Sequence, residues 1–149
     1  TIRIAREHGL LVGTCLEPVG PEHTVDELIE KTLITRDIEP VYSGCARRIP
    51  IPGTDMARRG MISELRLAHY VAVVRLAMGH GVPGNCTHEP NPLGPSAGAN
   101  LLWAEAGANP RDTDAATEKS RGFGPERCRT IFEETEWKIL EGPSRFYTP

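Results

Sequence analysis

The chain lacks paired cysteines: its four stand alone at positions 15, 45, 86 and 128, with no CxxC among them. In a reducing compartment such isolated cysteines read as thiols rather than as a disulfide framework. There is no HExxH either, which leaves a Cys/His zinc hydrolase without its usual signal. No apolar run approaches the roughly 20 residues needed to cross a bilayer, and no charged start followed by an apolar stretch marks a signal peptide. A cytoplasmic protein without a membrane partner is expected. Basic excess is also missing. Against 20 acidic residues stand 17 Lys and Arg, giving a net charge of −3 and a pI near 5.9. A nucleic-acid partner is excluded on that ground, since binding phosphates requires clustered cations. The pairs Arg47-Arg48 and Arg58-Arg59 are too short to reverse the balance. What remains, 39% hydrophobic and 25% charged residues, is an ordinary globular composition.

The first residues, Thr1 to His8, read as the last turns of a helix closed by Gly9, so the chain is expected to continue a longer one. Leu10–Cys15 is short, apolar and flanked by glycine, as a buried parallel strand should be. After a loop through Pro18, Gly20 and Pro21, Thr24-Val-Asp-Glu27 forms a capping box. The helix it opens carries Val25, Leu28, Ile29, Thr32 and Leu33 on one face, and Pro40 forbids extension beyond Glu39. Val41–Cys45 is the next strand. It runs into Ile49-Pro-Ile-Pro-Gly-Thr54, where alternating prolines deny ladder donors.

A second helix is expected from about Met61 to Met78, with Met61, Leu65, Ala68, Ala72 and Leu76 as its apolar stripe. Val82–His88 is a weaker strand, Ala99–Ala104 a fourth, residues 113–120 a polar loop, and Pro125 opens a last helix with Cys128, Ile131 and Phe132. The spacing predicts an α/β fold of about four parallel βα units, half of an eight-stranded TIM-type barrel. Such a half leaves two sheet edges exposed. A missing N-terminal half-barrel, a homo-oligomer partner or a rearranged compact form is expected to cover them.

Three stretches carry a family likeness. Val19-Gly-Pro-Glu-His-Thr24 before a helix resembles a V-G-L-G-E-T motif; Ile49–Thr54 followed by Ala72-Val-Val-Arg-Leu-Ala-Met78 resembles a K-G-T-P-L loop and its A-V-A-R-I-M-M helix. Ala97-Gly-Ala-Asn100, an apolar strand and Ala108-Asn-Pro110 resemble an A-G-A-N stretch with the loop behind it. These are motifs of radical S-adenosylmethionine enzymes of the biotin synthase-like group. The likeness covers about residues 1–135 and leaves 136–149 as a tail.

It implies a TIM-type barrel whose CxxxCxxC loop, near the N-terminal end, binds a [4Fe–4S] cluster that cleaves S-adenosylmethionine to a 5′-deoxyadenosyl radical. No such spacing is present, so this segment alone is expected to hold no cluster and to be inactive by itself. The family's second-cluster ligands fall at Thr14 and at Gly84 or Asn85. Sulfur insertion is thereby set aside in favour of cofactor or amino-acid-derived metabolite biosynthesis, as in methylornithine synthase and hydrogenase-cofactor relatives. The alternative is a non-catalytic accessory half that assembles with a separate catalytic partner.

Barrel chemistry sits at the C-terminal ends of strands, which selects Thr14, Cys15, Glu17, Cys45, Arg47, Arg48, Cys86, His88, Glu89, Trp103 and Glu105. For a small-molecule substrate or S-adenosylmethionine, Glu17 or Glu105 suits an amino group and Arg47 or Arg48 a carboxylate held in a bidentate fork. His88, beside Glu89, suits a base or a ligand. Against these stand solvated loop charges and satisfied polar residues. Cys15, Cys45 and Cys86 each close a predicted strand and are weak candidates for a shared thiophilic metal site. The plainer reading is that each fills a small apolar site, and alternation along the strands decides.

Overall fold

The computed structural model describes residues 1–87, 91–104 and 124–142. Along the chain come α1 (Ile2–Glu7), β1 (Leu16–Val19), α2 (Val25–Ile38), β2 (Tyr42–Arg47), α3 (Glu64–Met78), β3 (Gly84–Thr87), β4 (Leu101–Leu102) and α4 (Pro125–Glu134), with 3-10 turns at Asp55–Arg59 and Pro95–Ala97. The strands form one sheet in the order β1-β2-β3-β4, and all three pairings are parallel. The α/β class and the sequential parallel order agree with the βα reading. Among the described residues the connection from β3 to β4 carries a 3-10 turn rather than an α-helix. No described helix is long and apolar enough to cross a membrane.

The two long helices, α2 and α3, start where a hydroxyl satisfies an orphan amide. Thr24 Oγ1 accepts from the Glu27 amide at 3.2 Å, and the Glu27 carboxylate accepts from the Thr24 amide at 2.8 Å, completing the expected box. The helix stops at Ile38 because Glu39 turns left-handed (φ 50°) ahead of Pro40. For α3 the cap is Ser63, whose Oγ accepts from Arg66 N, so the helix opens at Glu64 and not at Met61.

The face α3 buries is Leu67, Ala68, Val71, Val74 and Met78. The expected stripe is corrected accordingly: Leu65 and Leu76 are 72% and 82% exposed. Apolar residues occupy every side of this helix, so periodicity alone supplies two acceptable stripes and only the sheet selects between them. Leu67, Val71, Val74 and Met78 pack with Leu16, Val19, Leu28, Cys45, Val82 and Ala99 into one core.

The first strand also moves. Leu10–Cys15 is not a regular strand; β1 begins at Leu16, although Val41 N donates to Val12 O and Thr14 N to Tyr42 O, and Gly13 bridges Tyr42. Leu16 lies opposite Cys45 and Val19 opposite Arg47, so three steps on β1 match two on β2. That bulge turns both Leu16 and Val19 into the core while Glu17 and Pro18 stay exposed. Pro18, which has no amide to donate, is tolerated because among the described residues β1 ladders with β2 alone.

Replacing Thr24 by Ala removes the acceptor of the first turn of α2 and is expected to lower stability by about 0.5–2 kcal/mol. The denaturant midpoint measures this, and a midpoint unchanged within error would remove Thr24 from the capping role.

Candidate functional site

The last residue of β2 and the one after it, Arg47 and Arg48, are both 7% exposed. Burying a guanidinium demands partners for its donors. Arg47 donates to the Ile62 carbonyl at 3.1 Å and pairs with Glu64 at 3.2 Å. Arg48 forks onto both carboxylate oxygens of Glu22 and also donates to the Gly60 carbonyl at 3.1 Å. Gly20 makes room for this fork, since a Cβ there would stand 2.4 Å from Arg48 Nη2. The Arg48 guanidinium, with backbone donors next, holds the Glu22 carboxyl down at about 2, and Glu22 in turn raises Arg48. Beside them the Gly20 amide donates to His23 Nδ1 at 3.0 Å.

The two arginines therefore tie the loop after β1 and the loop after β2 to the strand ends. Arg48 gives its fork to a carboxylate of the chain itself, Arg47 divides its donors between a carbonyl and a carboxylate, and neither behaves as a solvated loop charge. Sequence reasoning singled out both but missed Glu22 and Glu64 as their partners. The signal available was the glutamate of the Gly20–Thr24 stretch, two positions before the capping residue.

The opposite side of the sheet is built differently. The registers Leu16↔Cys45 and Gly44↔Cys86 set Cys15, Gly44 and Cys86 in one row across β1, β2 and β3. Residue 44 has no side chain to separate its neighbours, and the sulfurs of Cys15 and Cys86 meet at 3.0 Å. A Cβ on Gly44 would stand 2.6 Å from Cys86 Sγ and 2.1 Å from the Cys86 carbonyl oxygen. Cys15 is half-buried and Cys86 fully buried. The contact with Cys86, then burial, then the negative charges nearby push the Cys15 thiol well above its usual range. On the same face the rings of Tyr42 and Trp103 meet edge-on with centroids 5.6 Å apart.

Cys45 does not join the pair. One residue along β2 from Gly44, it points to the helix layer, packs in the core with Leu67 and Val71, and is pushed up to about 12, first by burial. The three-thiol arc is thus two thiols on one face and one on the other. Glu17 is exposed on β1 and Cys128 is buried on α4. His88, Glu89 and Glu105 lie outside the described residues. Among those described, no three His, Cys, Asp or Glu side chains converge as a metal site.

No protein family, curated protein or solved structure matches the chain.

Gly44→Ala forces a methyl against backbone and sulfur and is expected to cost about 1–3 kcal/mol, the usual range for overpacking. An unaltered thermal midpoint would show that the Cys15–Gly44–Cys86 row is looser than described. The Glu22–Arg48 fork has an acid signature. Because the folded carboxyl titrates near 2 instead of about 4.5, its contribution is complete above about pH 4.5 and is lost as pH falls toward 2. Glu22→Gln should flatten this limb of the stability–pH profile; a limb as steep as the parent's would exclude the fork as its source.

Proposed function

We propose that this chain is the C-terminal wall of a radical S-adenosylmethionine barrel of the biotin synthase-like group, acting in cofactor or amino-acid-derived metabolite biosynthesis in the cytoplasm. The observation that carries the reading is where the motif stretches fall. Val19–Thr24 follows the end of β1 and Ile49–Thr54 follows β2; Ala72–Met78 lies on α3 and Ala97–Asn100 leads into β4. That is the order of strand ends, helix and strand start which the family likeness assigns to them, on four strands that run parallel in sequence order.

The roles divide between the two faces. Buried arginines fix the loops at the C-terminal ends of β1 and β2, where barrel enzymes place their chemistry. The sheet face turned away from the helices, with Cys15, Tyr42, Trp103 and the nearby Glu17, is the surface a small-molecule substrate or S-adenosylmethionine would meet. A missing N-terminal half-barrel would pair with the edges at β1 and β4. Two thiols facing one way do not fit a [4Fe–4S] cluster, which takes closely spaced cysteine thiolates. The cluster belongs to another part of the parent, and no radical step is assigned to residues described here.

The test is anaerobic iron–sulfur reconstitution of the full reading frame that contains this segment, followed by assay for 5′-deoxyadenosine from S-adenosylmethionine. Product that depends on the reconstituted cluster is expected. A fully loaded protein that releases none would contradict the reading.

A further inference from the structure

The meeting of Cys15 and Cys86 is an unusual use of a parallel sheet. Cys15, just before β1, and Cys86 on β3 lie on either side of β2, where the ordinary strand spacing of about 4.8 Å per step would hold two thiols out of contact, so the chain is drawn in here to let them meet. Side chains so placed are normally kept apart by that of the strand between them. Here the intervening residue is Gly44, and the sulfurs close to 3.0 Å above it.

The contact leaves two outcomes for such a pair. A disulfide would draw the sulfurs from 3.0 Å to about 2.05 Å and requires a two-electron oxidant. An ion inserted between them requires neither. With thiolate–metal bonds of about 2.3 Å, a two-coordinate ion sets its sulfurs up to about 4.6 Å apart, reached from the present contact by parting the thiols. Soft thiolates select soft ions, Cu(I) foremost among those content with few ligands. Zinc is a poorer fit, because it calls for four ligands and no third Cys, His, Asp or Glu converges here among the described residues. The half-buried Cys15 gives an entering ion its approach.

We propose that Cys15 and Cys86 form a two-thiol binding site for a single soft monovalent cation of the Cu(I) class, cradled over Gly44. Binding replaces the two thiol protons: each S–H releases its proton to solvent, each sulfur donates a lone pair to the ion, and no oxidation state changes. Cys45, on the other face, takes no part.

Anaerobic titration of the intact protein with Cu(I) against a competing chelator tests this, with X-ray absorption to count the sulfur ligands. One equivalent of ion held by two sulfurs is expected, lost in Cys15→Ala and in Cys86→Ala and retained in Cys45→Ala. Circular dichroism establishes that each variant is folded. Should Cys86→Ala not fold, Cys15→Ala decides alone, since its side chain is only half-buried. An equivalent that persists in folded Cys15→Ala, or one that disappears with Cys45, would overturn the site.

Discussion

Everything in this molecule hangs on β2, a strand with parallel neighbours on both sides and a helix layer over one face. A strand so enclosed has no residue to spare, because each side chain must belong to one face or the other and successive residues alternate. Ser43, Cys45 and Arg47 turn toward α3; Tyr42, Gly44 and Ala46 turn away. The core therefore receives Cys45, the rim receives Arg47, and Gly44 leaves the gap in which Cys15 and Cys86 meet. A shift of one residue would exchange these sets and bury Tyr42 under α3.

Local chemistry was the legible part of the sequence. The Thr24–Glu27 box and the Pro40 stop needed only residues within a few positions of one another, and the bounds they set are as read, although the face α2 buries is Leu28, Thr32 and Thr35 and the expected Val25, Ile29 and Leu33 are exposed. Parallel strand order followed from the spacing of apolar runs. What escaped were choices made by distant partners. The buried face of α3 is decided by the sheet and not by the helix. The start of β1 is decided by a bulge that lets Leu16 and Val19 reach the core together. The arginines at 47 and 48 looked like open forks because Glu64 and Glu22, 17 and 26 positions away, return to them only in the fold. For the cysteines the deciding fact was alternation: adjacent residues 44 and 45 face opposite ways, so Cys45 could never share a site with Cys15 and Cys86.

Burial of both arginines bears on what the rim can do. Leaving a guanidinium buried without its carboxylate is costly, so a ligand carboxylate seeking Arg48 would have to displace Glu22 from a bidentate pair. The rim consequently works as a fastening that sets the loops, and the proposed function leaves recognition to the sheet face bearing Cys15, Tyr42 and Trp103. On the proposed reading, fixed loops and a partly apolar face with thiols are what a barrel wall would supply to chemistry whose reactive group sits elsewhere.

Native-state hydrogen exchange on the amides of Ser43 to Ala46 tests this arrangement most directly. If β2 is the element that both faces depend on, these amides exchange only through global unfolding, with a free energy equal to that from denaturant titration and a full denaturant dependence. Exchange through local opening, at the rate of the exposed α1, would contradict it.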